Sequence, residues 1–344
     1  MKEALLYEKL DGQRVRCNLC AHRCAIAPGH KGICHVRENR DGTLYTLVYG
    51  IPLSQALDPI EKKPLFHFFP GSTAYSLATA GCNYRCSFCQ NSDISQMPRE
   101  QGRIVGQRTA PEEVVRAAQR SGARSIAYTY TEPTIFFEYS YDIARLANAA
   151  GIASVYVTNG YMTPEMLDLF QGTSGEHGPW LDAANVDLKA FRDETYKKVC
   201  GARLQPVLDA LKKMKELGVW VEITTLVVPG MNDSEAELAD IAHFIAAELG
   251  VETPWHISRF HPDYQMVDRG PTPAATLHRA HELGRQAGLR YVYVGNLPDA
   301  HLEDTLCPKC GRAVVVRWGF WVRERHTHDG KCDYCHIPID GVGL

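Results

Sequence analysis

AYSLATAGCNYRCSFC, residues 74–89, carries the chain from a strand into a loop with three cysteines. Residues 74–79 read as a short strand closed by Ala-Gly. A dinucleotide-binding sheet follows its first strand with G-x-G-x-x-G. Here the loop instead spaces Cys82, Cys86 and Cys89 as C-x3-C-x2-C. Three thiolates this close together can ligate three irons of a [4Fe–4S] cluster and leave one iron open to a small molecule. A tetrahedral zinc wants a fourth ligand, so a zinc knuckle completed by a distant cysteine or histidine is the competing assignment.

Downstream of this loop, β-rich runs alternate with amphipathic ones. Strands are expected at 74–79, 125–130, 153–158, 184–189, 219–228, 254–260 and 290–295. Thr109 with Glu112 reads as a capping box opening one helix, which Ser121-Gly122 closes. Thr163-Pro164 opens a second helix, and Asp233-Ser234-Glu235 a third with Leu238, Ile241, Ala242 and Ile245 on one face. Alternation of this kind implies right-handed crossovers and a parallel sheet, either doubly wound or barrel-like. Without the glycine fingerprint the barrel-like sheet is favoured. Ligands bind at the carboxyl ends of such strands, and polar residues gather there. Glu132 follows the second strand, Thr158-Asn159 the third, and Asp187 and Lys189 share one side at the end of the fourth. His256 and Arg259 lie on the sixth and Asn296 after the seventh. Asp187–Lys189 as a rim ion pair and His256 as a satisfied core histidine are the plainer readings.

C-x3-C-x2-C with Phe88 before the last cysteine, in the loop after the first strand, resembles the radical S-adenosylmethionine (SAM) superfamily. The resemblance implies an α/β fold with a partial (β/α)6-type barrel. It also implies an enzyme in which Cys82, Cys86 and Cys89 hold a [4Fe–4S] cluster whose open iron is chelated by SAM. Reductive cleavage of SAM then gives a 5′-deoxyadenosyl radical that abstracts hydrogen from substrate, in oxidoreductase or activase chemistry. It assigns Glu132 to the SAM amino group, although the loop here reads Thr-Glu-Pro rather than Gly-Gly-Glu. Thr158 and Asn159 match the Thr-Asn-Gly of the pyruvate formate-lyase-activating branch, and Asp187 and Lys189 its Asp-x-Lys, which helps hold the SAM amino and carboxylate groups. His256 falls where that branch places a histidine near the adenosine. Over nearly its whole length the chain resembles the radical SAM component of the AmmeMemoRadiSam system, through CNLCAHRC, LVYGIPLSQALDPIEKKPLFHFFPGS, YTYTEPT, VDLKAF, TTLVVPGMND, PWHISRFHPDY and CPKCG. That resemblance implies Memo-type and AMMECR-type partners and an electron donor such as flavodoxin or ferredoxin. It names no substrate, which is expected to be a small molecule or a protein.

Two further cysteine groups flank the barrel. Cys307, Cys310, Cys332 and Cys335 form C-x2-C…C-x2-C around a short predicted hairpin, AVVVRWGFWVRER, and read as a four-thiolate zinc ribbon, with rubredoxin-like iron as runner-up. Cys17, Cys20, Cys24 and Cys34 supply four more thiolates, for which zinc and an auxiliary Fe–S cluster are both open, zinc being slightly preferred. Cys200 is the leftover thiol, expected to be buried. The expected division is an N-terminal cysteine-rich module over 1–70, the barrel over 71–298 and a zinc-ribbon-like module over 299–344.

Composition narrows the rest. At 344 residues, 45% hydrophobic and 22% charged, the chain can bury a sizeable core. A net charge of −3 offers no basic field for nucleic acid, and no apolar run is long enough for a membrane span. Twelve cysteines behind a charged N-terminus argue for metals in the cytoplasm rather than secreted disulfides. The alternatives to a radical enzyme with an unidentified substrate are a glycyl radical enzyme activase and a non-catalytic multi-zinc scaffold. Tyr139, Tyr141, Tyr264 and the 261–264 loop are candidate substrate contacts.

Overall fold

The computed structural model describes residues 1–171, 180–297 and 302–344. Its centre is one eight-stranded sheet: β1 (Ser54–Pro59), β2 (Thr73–Ala78), β3 (Ser125–Tyr128), β4 (Ala153–Thr158), β5 (Ala183–Asp187), β6 (Trp220–Val227), β7 (Trp255–Arg259) and β8 (Val292–Gly295). Each strand pairs with its chain neighbour, so spatial order equals sequence order. From β2 to β8 every pairing is parallel, and six crossovers join these seven strands as an open, barrel-like α/β layer. β1 is the exception, antiparallel to β2 along the edge. It was not among the expected strands, because SQALDP carries Gln55, Asp58 and Pro59, all poor strand formers. It also lies on the N-terminal side of the residue-70 boundary, while the boundary at 298/299 lies outside the described residues.

The helices cover the outer face: α1 (Pro111–Arg120), α2 (Phe137–Ala149), α3 (Pro164–Asp168), α4 (Gln205–Glu216), α5 (Glu235–Phe244) and α6 (Ala274–Gln286). The N-caps of α3 and α5 follow the sequence rules. Thr163 accepts from Met166 N at 3.2 Å and Ser234 from Glu237 N at 3.3 Å. At α1 the expected box on Thr109 and Glu112 is displaced by one residue. Ala110 is the N-cap and donates its N–H to Glu113 Oε2 at 2.7 Å, and alanine has no oxygen to reciprocate. The apolar stripe Leu238, Ile241, Ala242 and Ile245 is buried as patterned.

The two flanking segments attach to opposite ends of this sheet. The N-terminal one consists of two small antiparallel sheets and meets the carboxyl ends of the strands: Cys20 bridges Met162 beyond β4, and His22 Nε2 lies 2.8 Å from Asn83 O beyond β2. The C-terminal one contains the expected hairpin, Ala313–Trp318 against Trp321–Arg325, turning at Gly319 with φ 57. It packs under the amino ends, where Phe69 N donates to Val342 O at 2.8 Å. Arg317, buried, reaches from this hairpin to Phe66 O at 2.7 Å and Thr305 Oγ1 at 2.8 Å. Beneath the sheet, Glu222 accepts from Phe66 N at 2.9 Å and from His67 N at 2.8 Å, so a polar plug closes that end.

Candidate active site

A cavity of about 520 Å³ opens at the carboxyl ends of the strands, where an α/β sheet of this kind places its ligands. Cys82, Cys86 and Cys89 all line it, together with Glu132, Thr158, Asn159, Asp187 and Lys189. The cysteine loop is pinned by backbone bonds to the turn Tyr196–Cys200: Arg85 N donates to Cys200 O at 3.0 Å and Ser87 N to Val199 O at 3.2 Å. Gly81 begins the loop at φ 107, a conformation open to glycine. Three polar groups already face the sulfurs: Tyr84 N lies 3.3 Å and Asn159 Nδ2 3.9 Å from Cys82 Sγ, and the Ser95 hydroxyl lies 3.2 Å from Cys89 Sγ. Cys200 is buried and its thiol hydrogen-bonds with Cys86; that bond and burial hold the Cys86 thiol well above its ordinary pKa. Metal binding here must therefore release protons.

Glu132 is the hub of the opposite wall. Its Oε1 accepts from Thr134 N (3.0 Å), Thr134 Oγ1 (2.5 Å) and Thr158 Oγ1 (2.6 Å), and its Oε2 from Asn159 N (2.8 Å). Burial raises the carboxyl pKa, and these donors oppose the shift. Asn159 in turn gives Nδ2 to Asn83 Oδ1 at 2.7 Å, tying this wall to the cysteine loop. Lys189 Nζ lies 2.8 Å from Asp187 Oδ2. Burial works against the lysine's charge, but Asp187 and the Cys86 thiol outweigh it and raise its pKa well above the ordinary value. The strand ends at Asp187, two residues before the expected limit, yet both side chains reach the cavity.

His256 is not among the cavity-lining residues. Its Nε2 lies 2.6 Å from Glu222 Oε2, and its ring stacks on Tyr293 at 5.1 Å. The residue two positions on, Ser258, does line the cavity. His256 is thus on the inward face but one layer deeper, about 7 Å nearer the amino end of β7. The expected contact with adenosine does not match this placement, because the histidine's bonding is taken by the polar plug. Tyr139, Tyr141 and Tyr264 do not line the cavity either; Tyr139 donates to Thr109 O at 2.7 Å and Tyr264 to Glu100.

The sequence reading missed a third wall formed by Lys62, Lys63 and Tyr130. Asp58 on β1 gathers them, with Lys62 Nζ at 2.8 Å, Lys63 Nζ at 2.7 Å and the Tyr130 hydroxyl donating to it. Burial pulls the Lys63 pKa down to about 8, although Asp58 opposes the shift. Tyr130 sits at φ 62, a left-handed conformation that tyrosine adopts only when its surroundings enforce it. The Asp58-Pro59 and Lys62-Lys63 pairs were visible, but nothing periodic connects them to a loop some seventy residues away.

The donor set fits an iron–sulfur cluster with an open position. Three thiols converge on the cavity, and Cys82, Cys86 and Cys89 would hold the cluster. The walls carrying Glu132 and Asp187–Lys189 would face SAM. At the far end of the molecule, Cys307 and Cys335 sulfurs lie 3.5 Å apart and those of Cys310 and Cys332 3.8 Å, with all four within 4.8 Å. A tetrahedral metal–thiolate site with bonds of about 2.3 Å needs sulfurs about 3.8 Å apart, so this quartet is shaped for one metal ion.

Residues 76–242, just under half of the chain, match the Radical SAM superfamily, so the part of the chain that carries the three-cysteine loop is a domain of that kind. The chain is 46% identical over 344 residues to an uncharacterized protein of Methanocaldococcus jannaschii, covering 99% of this chain and 100% of that one. It is 26% identical over 205 residues to a pyruvate formate-lyase-activating enzyme of Clostridium pasteurianum, covering 55% of this chain and 80% of that enzyme. Among solved structures, a radical SAM methyltransferase from Sphaerobacter thermophilus superposes with TM-score 0.51 at 18% identity, covering 66% of this chain and 67% of that one, a likeness of fold. Among the described residues no helix is long and apolar enough to cross a membrane.

Proposed function

We propose that this chain is a radical SAM enzyme whose Cys82, Cys86 and Cys89 hold a [4Fe–4S] cluster and whose cavity takes SAM and a substrate side by side. The observation that carries this reading is the convergence of the three thiols, the Glu132 network and the Asp187–Lys189 pair on one cavity of about 520 Å³. That volume lies within the roughly 300–1,000 Å³ of sites for cofactors and small ligands. Bound there, the reduced cluster and SAM supply the radical that takes hydrogen from substrate. The chain's own residues do the rest. Lys189, held protonated, suits a carboxylate; Glu132 Oε2 accepts one protein bond and keeps a lone pair for an ammonium group. Buried Tyr84 and Phe88 exclude water beside the thiols. A flavodoxin or ferredoxin would deliver the electron, and the C-terminal quartet would hold zinc.

Membership of the AmmeMemoRadiSam system, with Memo-type and AMMECR-type partners, is part of this proposal and rests on the whole-length motif pattern. Activation of a glycyl radical enzyme is the second reading, favoured by similarity to the Clostridium pasteurianum activating enzyme. The test is anaerobic reconstitution with iron and sulfide, followed by assay for 5′-deoxyadenosine with SAM and a reductant. Product from the wild type and none from Cys86→Ala is expected; product that persists in Cys86→Ala sinks the proposal. A glycyl EPR signal in a mixed candidate partner enzyme would select the second reading.

A further inference from the structure

We propose that Cys17, Cys20, Cys24 and Cys34 hold a second iron–sulfur cluster, a four-cysteine [4Fe–4S] centre seated against the loop that carries Cys82. The four thiols line one small pocket of their own, walled by Leu19, Ile26, Ile33 and Ile135. None of the chain's twelve cysteines is in a disulfide, so all four sulfurs are available as ligands.

Sulfur spacing separates the two metal chemistries. Among the described residues, the C-terminal quartet is the one group of three or more such ligand atoms drawn within 4.8 Å of one another. That is the spacing of thiolates bonded to a single ion. The N-terminal quartet shares a pocket but is not drawn that close, and neither is the Cys82, Cys86 and Cys89 set. In a cubane each thiolate binds its own iron at a separate corner, so the sulfurs stand further apart than around one ion. In this the N-terminal sulfurs resemble the Cys82, Cys86 and Cys89 set, and the inference rests on the proposed function, which assigns that set to iron and sulfide.

The pocket also holds a donor without a partner. Arg37 lines it and is buried; its Nη atoms pair with Glu138 at 2.9 and 2.5 Å, while its Nε, also buried, has no hydrogen-bond partner among the described residues. A buried N–H without an acceptor is costly, and the thiolate and sulfide sulfurs of a cluster are acceptors. Four thiolates on a cubane leave a net negative charge that the Arg37 guanidinium would face. The apolar walls keep water from the centre, and the site abuts the catalytic loop: a Cβ added to Gly81 would lie 3.4 Å from Cys34 O.

The test is metal analysis of the full chain after anaerobic reconstitution with iron and sulfide. About eight irons and eight sulfides with one zinc per chain are expected in the wild type. C82A/C86A/C89A is expected to keep about four irons and, once reduced, to give an EPR signal that added SAM leaves unchanged. C20A/C24A is expected to lose about four irons and keep a SAM-responsive signal. About four irons with two zincs in the wild type overturns the proposal, and so does a folded C82A/C86A/C89A chain that holds zinc but no iron. The triple variant reads the N-terminal site whether or not the chain cleaves SAM, and it decides the matter even where C20A/C24A fails to fold.

Discussion

Replacing Glu132 by glutamine probes the site at its hub. The carboxylate takes three donors on Oε1 and the Asn159 N–H on Oε2. A glutamine must keep its carbonyl oxygen toward the three donors, which turns its NH2 against Asn159 N. One buried backbone N–H is then unsatisfied, at a cost of about 1–3 kcal/mol. The three remaining bonds lose their ionic character, and neutral bonds are about half as strong as charge-assisted ones. Relief of the buried charge offsets part of this, since burial already raises the Glu132 pKa. The expected net loss is about 2–3 kcal/mol. Anaerobic urea denaturation followed by tryptophan fluorescence measures it, and equilibrium dialysis measures SAM affinity of the reconstituted protein. Thr158→Val removes one donor and leaves the carboxylate, so it should cost about 1–2 kcal/mol and spare SAM binding. A Glu132→Gln chain as stable as the wild type refutes the hub. A destabilised chain with unchanged SAM affinity would leave Glu132 a positioning residue only.

Four other outcomes follow from the same geometry. His67 is buried between Asp340 O and the Tyr293 hydroxyl, each 2.6 Å away, and burial lowers its pKa from 6.5 to about 4. Between those values the unfolded chain takes up a proton that the folded chain refuses, so stability falls on acidification; the advantage of wild type over His67→Gln should shrink by about 3 kcal/mol, and a gap that ignores pH contradicts this. Asp187→Asn removes the partner at 2.8 Å from Lys189 and should weaken SAM binding roughly tenfold, about 1.4 kcal/mol, by isothermal titration; undiminished affinity removes Asp187 from the binding role. Cys332→Ser should abolish the C-terminal metal and raise hydrogen exchange across Ala313–Trp318 while leaving β4 and β5 protected. Gly81→Ala forces a side chain into φ 107 and 2.9 Å from Val36 Cγ1, and should lower iron retention after reconstitution.

The two cysteine quartets divide between the ends of the sheet. The C-terminal one lies under the amino ends, joined through Arg317 and Val342 to a polar plug, and its removal should loosen the base of the barrel. The N-terminal one lies beside the cavity and contacts the loop beyond β2. Under the readings proposed above, the C-terminal position suits a structural ion and the N-terminal one a cluster beside the cavity.

Sequence alone determined whatever is local or strictly periodic. The C-x3-C-x2-C loop is one short segment, so its ligands are adjacent whatever the rest of the chain does. Thr158 ends β4 and Asp187 ends β5, and both line the cavity at the strand ends, where polar residues gather in the sequence. Alternation tells which face a side chain is on and nothing about its depth. His256 lies on its expected strand but a layer below the cavity, because depth depends on the register that pairs Thr224 with His256 and sets Glu222 beneath. The wall of Asp58, Lys63 and Tyr130 needed an edge strand whose composition hides it, and contacts across some seventy residues. Spacing favours one ion for the C-terminal quartet and leaves the N-terminal one open between zinc and a cluster. Only tertiary structure decides how far apart the sulfurs stand and which end of the sheet they meet, because a metal senses distances that chain spacing leaves open.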